Sequence, residues 1–218
     1  MNGHRAFFLT LEGIEGSGKT TVLQRVQDRL RTDGYRVLMT REPGGTEIGD
    51  QIRRILLLPE NKAITPETEL LLYAAARAQH ITQVIKPALQ DYDCILCDRF
   101  HASTLSYQGY ARGLPTDIIQ NIILFASDNL KPDLSIILDI SPEKGLSRAD
   151  RRVASSPELN CESRFEMESI AFHKKVRDGF LEIAKQNTED YRVIDASVDM
   201  HEVVNKVLEI IQPFLKRS

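Results

Sequence analysis

The sequence lacks the features that mark secreted and membrane proteins. No stretch approaches the roughly 18 apolar residues of a membrane span. The apolar run at residues 7–11 stops at Glu12, which is too short for the core of a signal peptide. Only three cysteines occur, an odd number that fits a reducing compartment better than a disulfide scaffold. We therefore expect a cytoplasmic protein without membrane contact.

A strong excess of one charge is also missing. The chain has 28 Lys and Arg against 31 Asp and Glu, a net charge of −3, and its pI is near 6.0. This balance argues against a protein that binds nucleic acid over a broad basic face. It does not exclude a small anionic ligand, which needs only a local cluster of positive side chains.

Internal repeats are absent as well, and 218 residues with 42% apolar content suffice for a single domain over residues 1–218. Short β-rich runs alternate with helical patterns, which predicts an α/β fold with a five-stranded parallel sheet flanked by helices. The predicted strands are 7–12, 36–40, 93–97, 134–140 and 191–194. The predicted helices are about 19–33, 47–58, 66–89, 115–127, 142–152, 161–186 and 200–215. Residues 153–160 fit neither pattern and are predicted to form a mobile loop.

Cys94 and Cys97 have the C-x-x-C spacing of redox and zinc sites. On a strand, however, residues three apart point to opposite faces of the sheet, so the two thiols cannot readily meet. We expect them to be two buried apolar side chains.

A complete phosphate-binding motif, G-x-x-x-x-G-K-[ST], directly follows the first strand and precedes the first helix. Its glycines let successive backbone N–H groups point at phosphate oxygens, and the helix N-terminus adds positive charge. Lys19 can bridge the β- and γ-phosphates of ATP, and the Thr20 hydroxyl can ligate Mg²⁺. The motif predicts a nucleoside triphosphate site formed by Gly13, Ile14, Glu15, Gly16, Ser17, Gly18, Lys19 and Thr20.

Two apolar runs end in an acid, Asp98 and Asp139, and either is a candidate for the second metal partner. We favour a structural strand-end role for Asp139. A regulatory GTPase is disfavoured, because the Asn-Lys pairs at residues 61–62 and 205–206 are not followed by the aspartate that reads guanine.

Three further sequence segments, the acceptor islands, point to a second, phosphorylated ligand. They are the segment T-R-E-P-G-G-T at residues 40–46, D-R-F at 98–100 with Y-Q-G at 107–109, and Tyr73 with Arg77, which lie one helical turn apart. We expect all three at the carboxyl edge of the sheet. Arginines suit a fixed phosphate, and an aromatic ring beside an arginine suits a planar base.

With these islands in this order and spacing, the chain resembles the thymidylate kinases of the nucleoside monophosphate kinase group over nearly its whole length. The resemblance implies a P-loop fold, transfer of the γ-phosphoryl group of ATP to dTMP with Mg²⁺, and a homodimer. A kinase of another nucleoside monophosphate remains open, as does a nucleotide-gated switch or binding module from a different class.

The resemblance also implies roles for individual residues. Arg99 holds the acceptor phosphate with Arg41 nearby, and Arg77 hydrogen-bonds the thymine carbonyl. The other implied contacts are Tyr73 stacking on the base, Pro43 at its 5-methyl side, Thr104 at its edge, Tyr107 and Gln108 at the acceptor, Glu12 at the sugar 3′-hydroxyl or the metal shell, and Asp98 acting through metal-bound water. Tyr107 is expected to exclude a ribose 2′-hydroxyl.

Structural alternatives stay open for four of these residues. Tyr73 can be a core side chain, Arg77 a surface ion-pair partner, Glu12 a hydrogen-bond acceptor beneath the phosphate loop, and Thr104 a helix cap. Ala76 stands where some relatives have aspartate, so any role of that carboxylate is absent here or is supplied by another residue.

Residues 14–17 contain no arginine, and relatives without one there carry catalytic arginines in a lid. The resemblance therefore points to Arg148, Arg151 and Arg152, on one helical face within a lid at about residues 148–164. The alternative is a solvated basic face paired with acids such as Glu143. The role of Arg164 is open, because Ser163 replaces the family's aspartate before it. The five histidines show no paired spacing and receive no chemical role.

Overall fold

The computed structural model describes residues 5–155 and 164–215, with side chains described for 5–151 and 164–215. Five parallel strands form one sheet in the order β2-β3-β1-β4-β5. They are β1 (Phe7–Glu12), β2 (Val37–Arg41), β3 (Cys94–Asp98), β4 (Leu134–Asp139) and β5 (Tyr191–Asp195). The predicted α/β fold is thus confirmed, with strand ends shifted by a residue at most.

Nine α-helices occur within the described residues. They are α1 (Lys19–Thr32), α2 (Glu47–Leu57), α3 (Pro66–His80), α4 (Lys86–Asp91), α5 (His101–Thr104), α6 (Thr116–Ala126), α7 (Pro142–Ser155), α8 (Ile170–Gln186) and α9 (Met200–Ile211). Two predicted bounds are corrected: α7 continues to Ser155, into the predicted loop 153–160, and residues 164–169 of the predicted helix 161–186 form turns before α8 begins at Ile170. The rest of that loop and residues 161–163 lie outside the described residues. The last helix ends early, in a 3-10 turn at Gln212–Phe214.

The predicted helix 66–89 is divided by a π-helical segment, Ile81–Ile85. Pro87 explains the division, because it has no N–H for the carbonyl four residues earlier and its ring crowds that carbonyl. Residues 101–111 form α5 and a second π segment, Leu105–Ala111, where no helix was predicted. Their buried residues include polar Ser106 and Gln108, so the segment has no apolar periodicity to detect.

The sheet separates two apolar layers. Phe7, Leu9 and Leu11 pack on one side with α1, α8 and α9, while Phe8 packs on the other side with the Ile81–Ile85 segment and α4. Cys94 belongs to the first layer and Cys97 to the second, and both are fully buried. The expectation of two separate buried thiols is confirmed. Among the helices described, none is both long and apolar enough to cross a membrane.

The strand order brings the motif-bearing strand ends together. β3 lies between β1 and β2, and Asp98 at its end is in register with both Leu11 and Arg41. The loops that follow these three strands therefore leave the sheet side by side, as the sequence predicted.

Candidate active site

The carbonyl groups of the phosphate loop hold the side chain of Lys19. Lys19 Nζ donates to the carbonyl oxygens of Gly13 and Ile14, at 2.9 Å each. Burial, and then the nearby Arg99 guanidinium, lower the pKa of Lys19 to about 8. The lysine thus carries a desolvated positive charge inside a ring of backbone groups, an arrangement suited to a polyphosphate.

α7 packs directly against this loop. Gly16 has φ 69°, and a Cβ atom there would lie 1.9 Å from the carbonyl oxygen of Gly145 on α7. A side chain at Gly16 would therefore push the helix that carries Arg148 and Arg151 away from the loop. This close approach fixes the start of α7 relative to the phosphate loop.

Thr20 and Asp98 form the candidate metal pair. The Thr20 hydroxyl donates to Oδ2 of Asp98 at 2.7 Å. The described residues contain no cluster of three or more His, Cys, Asp or Glu side chains fit for a metal. A hydroxyl and one carboxylate nevertheless fit Mg²⁺, which keeps several waters and takes its other ligands from phosphates.

Asp139, the other candidate acid, is held by Arg177. Its two oxygens accept from Nε and Nη2 of Arg177, at 2.6 and 2.9 Å. This paired salt bridge between β4 and α8 agrees with the structural role favoured from the sequence.

A cleft of about 1090 Å³ joins the phosphate loop to all three acceptor islands. Arg53, Phe165 and Glu166 also line it. None of them was predicted from the sequence, because none lies in the phosphate-binding motif or in the acceptor islands. Thirteen of the predicted site residues line the cleft: Glu15, Gly16, Lys19, Thr20, Arg41, Pro43, Tyr73, Arg77, Asp98, Arg99, Thr104, Tyr107 and Gln108.

Arg99 lies between the phosphate loop and α5. It has φ 68°, and its Nη1 donates to the Gly13 carbonyl at 2.9 Å and to Ser103 Oγ at 3.1 Å. Its Nη2 donates to Oε1 of Glu15 at 2.9 Å. Arg41 is more open, with its side chain 53% exposed and paired with Asp50 at 3.1 Å. Two arginines, one largely buried and one exposed, thus border the same cleft.

Arg77 is a buried residue of a polar network and is not a surface ion-pair partner. Its Nη2 donates to the Phe100 carbonyl and to Thr104 Oγ1, at 3.0 Å each. Its Nε donates to Oε2 of Glu42 at 2.8 Å. No hydrogen bond of Nη1 is found among the described residues, so that nitrogen is available to a ligand in the cleft.

The network continues behind Glu42 to a histidine that the sequence did not single out. Oε1 of Glu42 lies 3.0 Å from His80 Nδ1, and His80 Nε2 lies 2.7 Å from Thr40 Oγ1. Burial raises the pKa of Glu42, but Arg77 and His80 outweigh it and leave the pKa below its usual range. Glu42 therefore stays ionised and holds Arg77 in place.

A second buried carboxylate, Glu69, holds residues on the side of the cleft formed by Gln108. It accepts from Gln108 at 2.8 Å, from Arg164 at 2.6 Å and from Arg112 at 3.2 Å. Gln108 therefore borders the cleft while its amide nitrogen faces Glu69. Arg164, whose role was open, binds Glu69 and the Leu56 carbonyl, which is a structural role in the described structure.

Three aromatic rings that line the cleft, those of Tyr73, Tyr107 and Phe165, pack next to one another. The ring centroid of Phe165 lies 6.4 Å from that of Tyr73 and 5.4 Å from that of Tyr107. Tyr73 is half-buried and lines the cleft, so it is not simply a core residue. Burial raises the pKa of Tyr73 and of Tyr107, which keeps both phenols protonated.

Glu12, just before the phosphate loop, and Glu15, within it, differ in their exposure to the cleft. Glu12 has no exposed surface, and its oxygens accept from the Phe100 amide at 2.8 Å and from Ser103 Oγ at 2.6 Å. Burial raises its pKa to about 7. Glu15 instead lines the cleft and accepts from the Tyr107 hydroxyl at 2.6 Å. The geometry thus supports the structural alternative for Glu12, whereas Glu15 lies in the cleft beside Tyr107.

The lid arginines are described only in part. Arg148 Nη1 donates to the Ala196 carbonyl at 3.0 Å, and Arg151 Nε bonds back to Ser147 of its own helix at 3.1 Å. Neither lines the cleft as described, and the side chain of Arg152 and residues 156–163 lie outside the described residues. Glu143 pairs with Lys174 at 3.1 Å, so it does not neutralise this basic face.

Comparisons with known proteins give one consistent result. The family model described as thymidylate kinase matches residues 11–207. A thymidylate kinase of Syntrophotalea carbinolica is 50% identical over 204 residues, 93% of each chain. One of Bacillus licheniformis is 44% identical over 218 residues, covering 100% of this chain and 99% of its own. The crystal structure of thymidylate kinase from Ehrlichia chaffeensis superposes with a TM-score of 0.75 at 31% identity, over 95% of this chain and 99% of that one.

Proposed function

Because the chain belongs to the thymidylate kinase family, we propose that the cleft described above binds ATP and dTMP side by side. The enzyme is an ATP-dependent nucleoside monophosphate kinase, which transfers the γ-phosphoryl group of ATP to dTMP and yields dTDP and ADP, a step toward dTTP. The observation that carries the proposed site is the single cleft shared by the phosphate loop and the three acceptor islands.

The reaction needs alignment and positive charge more than a base. An oxygen of the dTMP phosphate attacks the γ-phosphorus, and the bond from that phosphorus to the β–γ bridging oxygen breaks, so that this oxygen leaves with ADP. The attacking oxygen is already anionic, hence no proton must be removed first. Catalysis in such sites comes from positioning and charge neutralisation, which agrees with a cleft bordered by Lys19, Arg41, Arg77 and Arg99.

On the donor side, residues 13–20 cradle the ATP phosphates through their amides, and Lys19 turns from its carbonyl partners toward the β- and γ-oxygens. Thr20 and Asp98 would hold Mg²⁺, Asp98 through bound water. When bound, the metal neutralises charge on the β- and γ-phosphates. The 2.7 Å contact between these two side chains supports the pair.

On the acceptor side, Arg99 and Arg41 bind the dTMP phosphate, and Arg77 presents Nη1 to a thymine carbonyl. Tyr73 stacks on the base, with Pro43, Thr104 and Gln108 lining the pocket around it. Tyr107 packs against C2′ of the sugar. We assign the contact with the sugar 3′-hydroxyl to Glu15, because it lines the cleft, whereas both oxygens of Glu12 are occupied and buried.

The lid, at about residues 148–164 of one kinase domain spanning 1–218, supplies the remaining positive charge from Arg148, Arg151 and Arg152. Two observations support this assignment. Residues 14–17 hold no arginine, and α7 begins in contact with the phosphate loop at Gly145. Closure of the lid would bring its arginines to the γ-phosphate.

We further propose a cytoplasmic homodimer that binds neither membrane nor nucleic acid. α2, α3 and α6 each expose large apolar side chains, and α3 contacts both of the other two helices. Phe125 is 88% exposed and Leu71 58% exposed. Apolar surface of this kind is characteristic of a protein interface.

Calorimetric titration of dTMP into the purified protein tests the acceptor site. Arg41→Met is informative because Arg41 is half exposed, so its loss does not disturb the core. We expect its dTMP affinity to fall about tenfold or more while ATP affinity is kept. Arg54→Met, an equal charge change at an exposed position of α2, is the control. Equal dTMP affinities in the two variants would contradict the proposed phosphate site.

A further inference from the structure

Two neighbouring side chains at the edge of the cleft, His173 and Glu15, have buried polar atoms without hydrogen-bond partners among the described residues. His173 on α8 is fully buried, and its Nδ1 lies 3.3 Å from Oε2 of the cleft residue Glu15. Neither ring nitrogen of His173 nor Oε2 of Glu15 has a hydrogen-bond partner within the described part of the chain. Buried polar groups are nearly always paired, so this arrangement requires an explanation.

The other oxygen of Glu15 has two donors. Oε1 accepts from the Tyr107 hydroxyl at 2.6 Å and from Arg99 Nη2 at 2.9 Å. Arg99, however, is also the residue proposed to bind the acceptor phosphate. When its guanidinium turns to that phosphate, Glu15 loses its strongest partner while it stays in a buried position.

His173 is placed to compensate for that loss. At 3.3 Å, a small rotation of either side chain makes a normal hydrogen bond from Nδ1–H to Oε2. The neutral imidazole suffices, because it needs only the tautomer that carries its proton on Nδ1. The position of α8 is fixed, since a Cβ atom at Gly179 would lie 2.8 Å from Tyr110 in the segment that carries Tyr107.

We propose that His173 is a positioning residue that donates from Nδ1 to Oε2 of Glu15 and holds this carboxylate toward the acceptor sugar while Arg99 binds the phosphate. The inference rests on the proposed function, because it needs an acceptor in this cleft. It assigns a role to a histidine for which the sequence offered no spacing signal.

Two substitutions separate positioning from core filling. His173→Asn keeps an N–H donor near the place of Nδ1, whereas His173→Leu keeps the bulk and removes the donor. We expect His173→Leu to raise the KM for dTMP about tenfold and to change the KM for ATP less than about twofold, with His173→Asn recovering most of the loss. Ile183→Val, a buried change on the same helix, should lower the melting temperature without affecting the KM for dTMP.

A double-mutant cycle with Glu15→Gln tests the pairing itself. In that background His173→Leu should cost little further dTMP affinity, since the carboxylate it positions is gone. Additive losses, or equal KM values for dTMP in His173→Leu and the wild type, would overturn the inference. A wild type that binds no dTMP would overturn the proposed function as well, so the two failures are distinguishable.

A measurement on the unaltered enzyme covers the case in which His173→Leu does not fold. In ¹⁵N-histidine-labelled protein, long-range ¹H–¹⁵N spectra report which ring nitrogen carries the proton. With dTMP bound, His173 should carry it on Nδ1. A proton on Nε2 alone in that complex would overturn the inference.

Discussion

Arg77 and Glu42 face each other as a buried ion pair, with Arg77 Nε 2.8 Å from Oε2 of Glu42 and side chains only 2% and 4% exposed. The pair joins the helix of the proposed base-reading arginine to the loop after β2. His80 lies between Glu42 and Thr40 of β2 and contacts both side chains through its two ring nitrogens. The direction of Arg77 is thus set by residues that need not touch the base.

Glu42→Gln should therefore weaken dTMP binding without a direct contact being lost. The substitution leaves the charge of Arg77 buried and uncompensated, a costly state. We expect the KM for dTMP to rise about tenfold or more, with the KM for ATP nearly unchanged and a lower melting temperature. Steady-state kinetics with each substrate varied checks this. Glu47→Gln, on the exposed start of α2, is the control, and a Glu42→Gln enzyme that matches it would show that the pair does not orient Arg77.

Arg151→Ala should lower kcat by about 10² or more while dTMP binding is largely retained, because the lid arginine acts on the transferring group. Rapid-quench or steady-state measurements at saturating substrates report kcat. Arg151 is exposed and bonds only to Ser147 of its own helix among the described residues, so the fold should survive. Near-normal turnover of Arg151→Ala would move the role to Arg148 or Arg152.

Tyr107→Ala should weaken discrimination against the ribonucleotide, because space opens beside C2′ of the sugar. The ratio of kcat/KM for dTMP to that for its ribose analogue measures the effect. Tyr107→Phe is the matched control: it keeps the ring and removes the hydroxyl that donates to Glu15. An unchanged ratio in Tyr107→Ala would show that other residues exclude the ribose.

The pH dependence of ATP capture should follow Lys19. Its pKa in the free enzyme is about 8, so its positive charge is present below that pH and is lost as pH rises through it. Since kcat/KM reports groups of the free enzyme, kcat/KM for ATP should fall above about pH 8. At saturating ATP the triphosphate stabilises the charged amine, and kcat should stay level to higher pH. A kcat/KM for ATP that is constant up to pH 9.5, roughly a unit and a half above this pKa, would contradict the assignment.

Local sequence patterns were enough to predict much of the fold and many residues of the cleft. Short β-rich runs that alternate with helical patterns along the chain predicted the five strands. The phosphate-binding motif and the segments that follow the strands predicted which loops form the cleft. Glu12 shows where sequence pattern fails. Glu12 and Glu15 lie three residues apart, at the end of β1 and within the phosphate loop. Only the path of the chain after β1 decides that Glu12 is buried while Glu15 lines the cleft.

The buried polar networks also could not be predicted from the sequence. Glu42 and His80 lie 38 residues apart, and Glu15 and His173 are farther apart still. Such pairs leave no spacing signal, because tertiary packing alone brings them together. The same holds for Arg148, whose contact with Ala196 depends on how α7 lies against the end of β5.

ADP formation by the wild-type enzyme with Mg²⁺ and ATP, measured across a panel of nucleoside monophosphates, tests the dTMP kinase activity most directly. We expect ADP to appear rapidly with dTMP, in an amount equal to that of dTDP, and far more slowly with dCMP, dAMP, dGMP or ribonucleotides. ADP release that is independent of the monophosphate, or a faster rate with another nucleotide, would contradict this expectation.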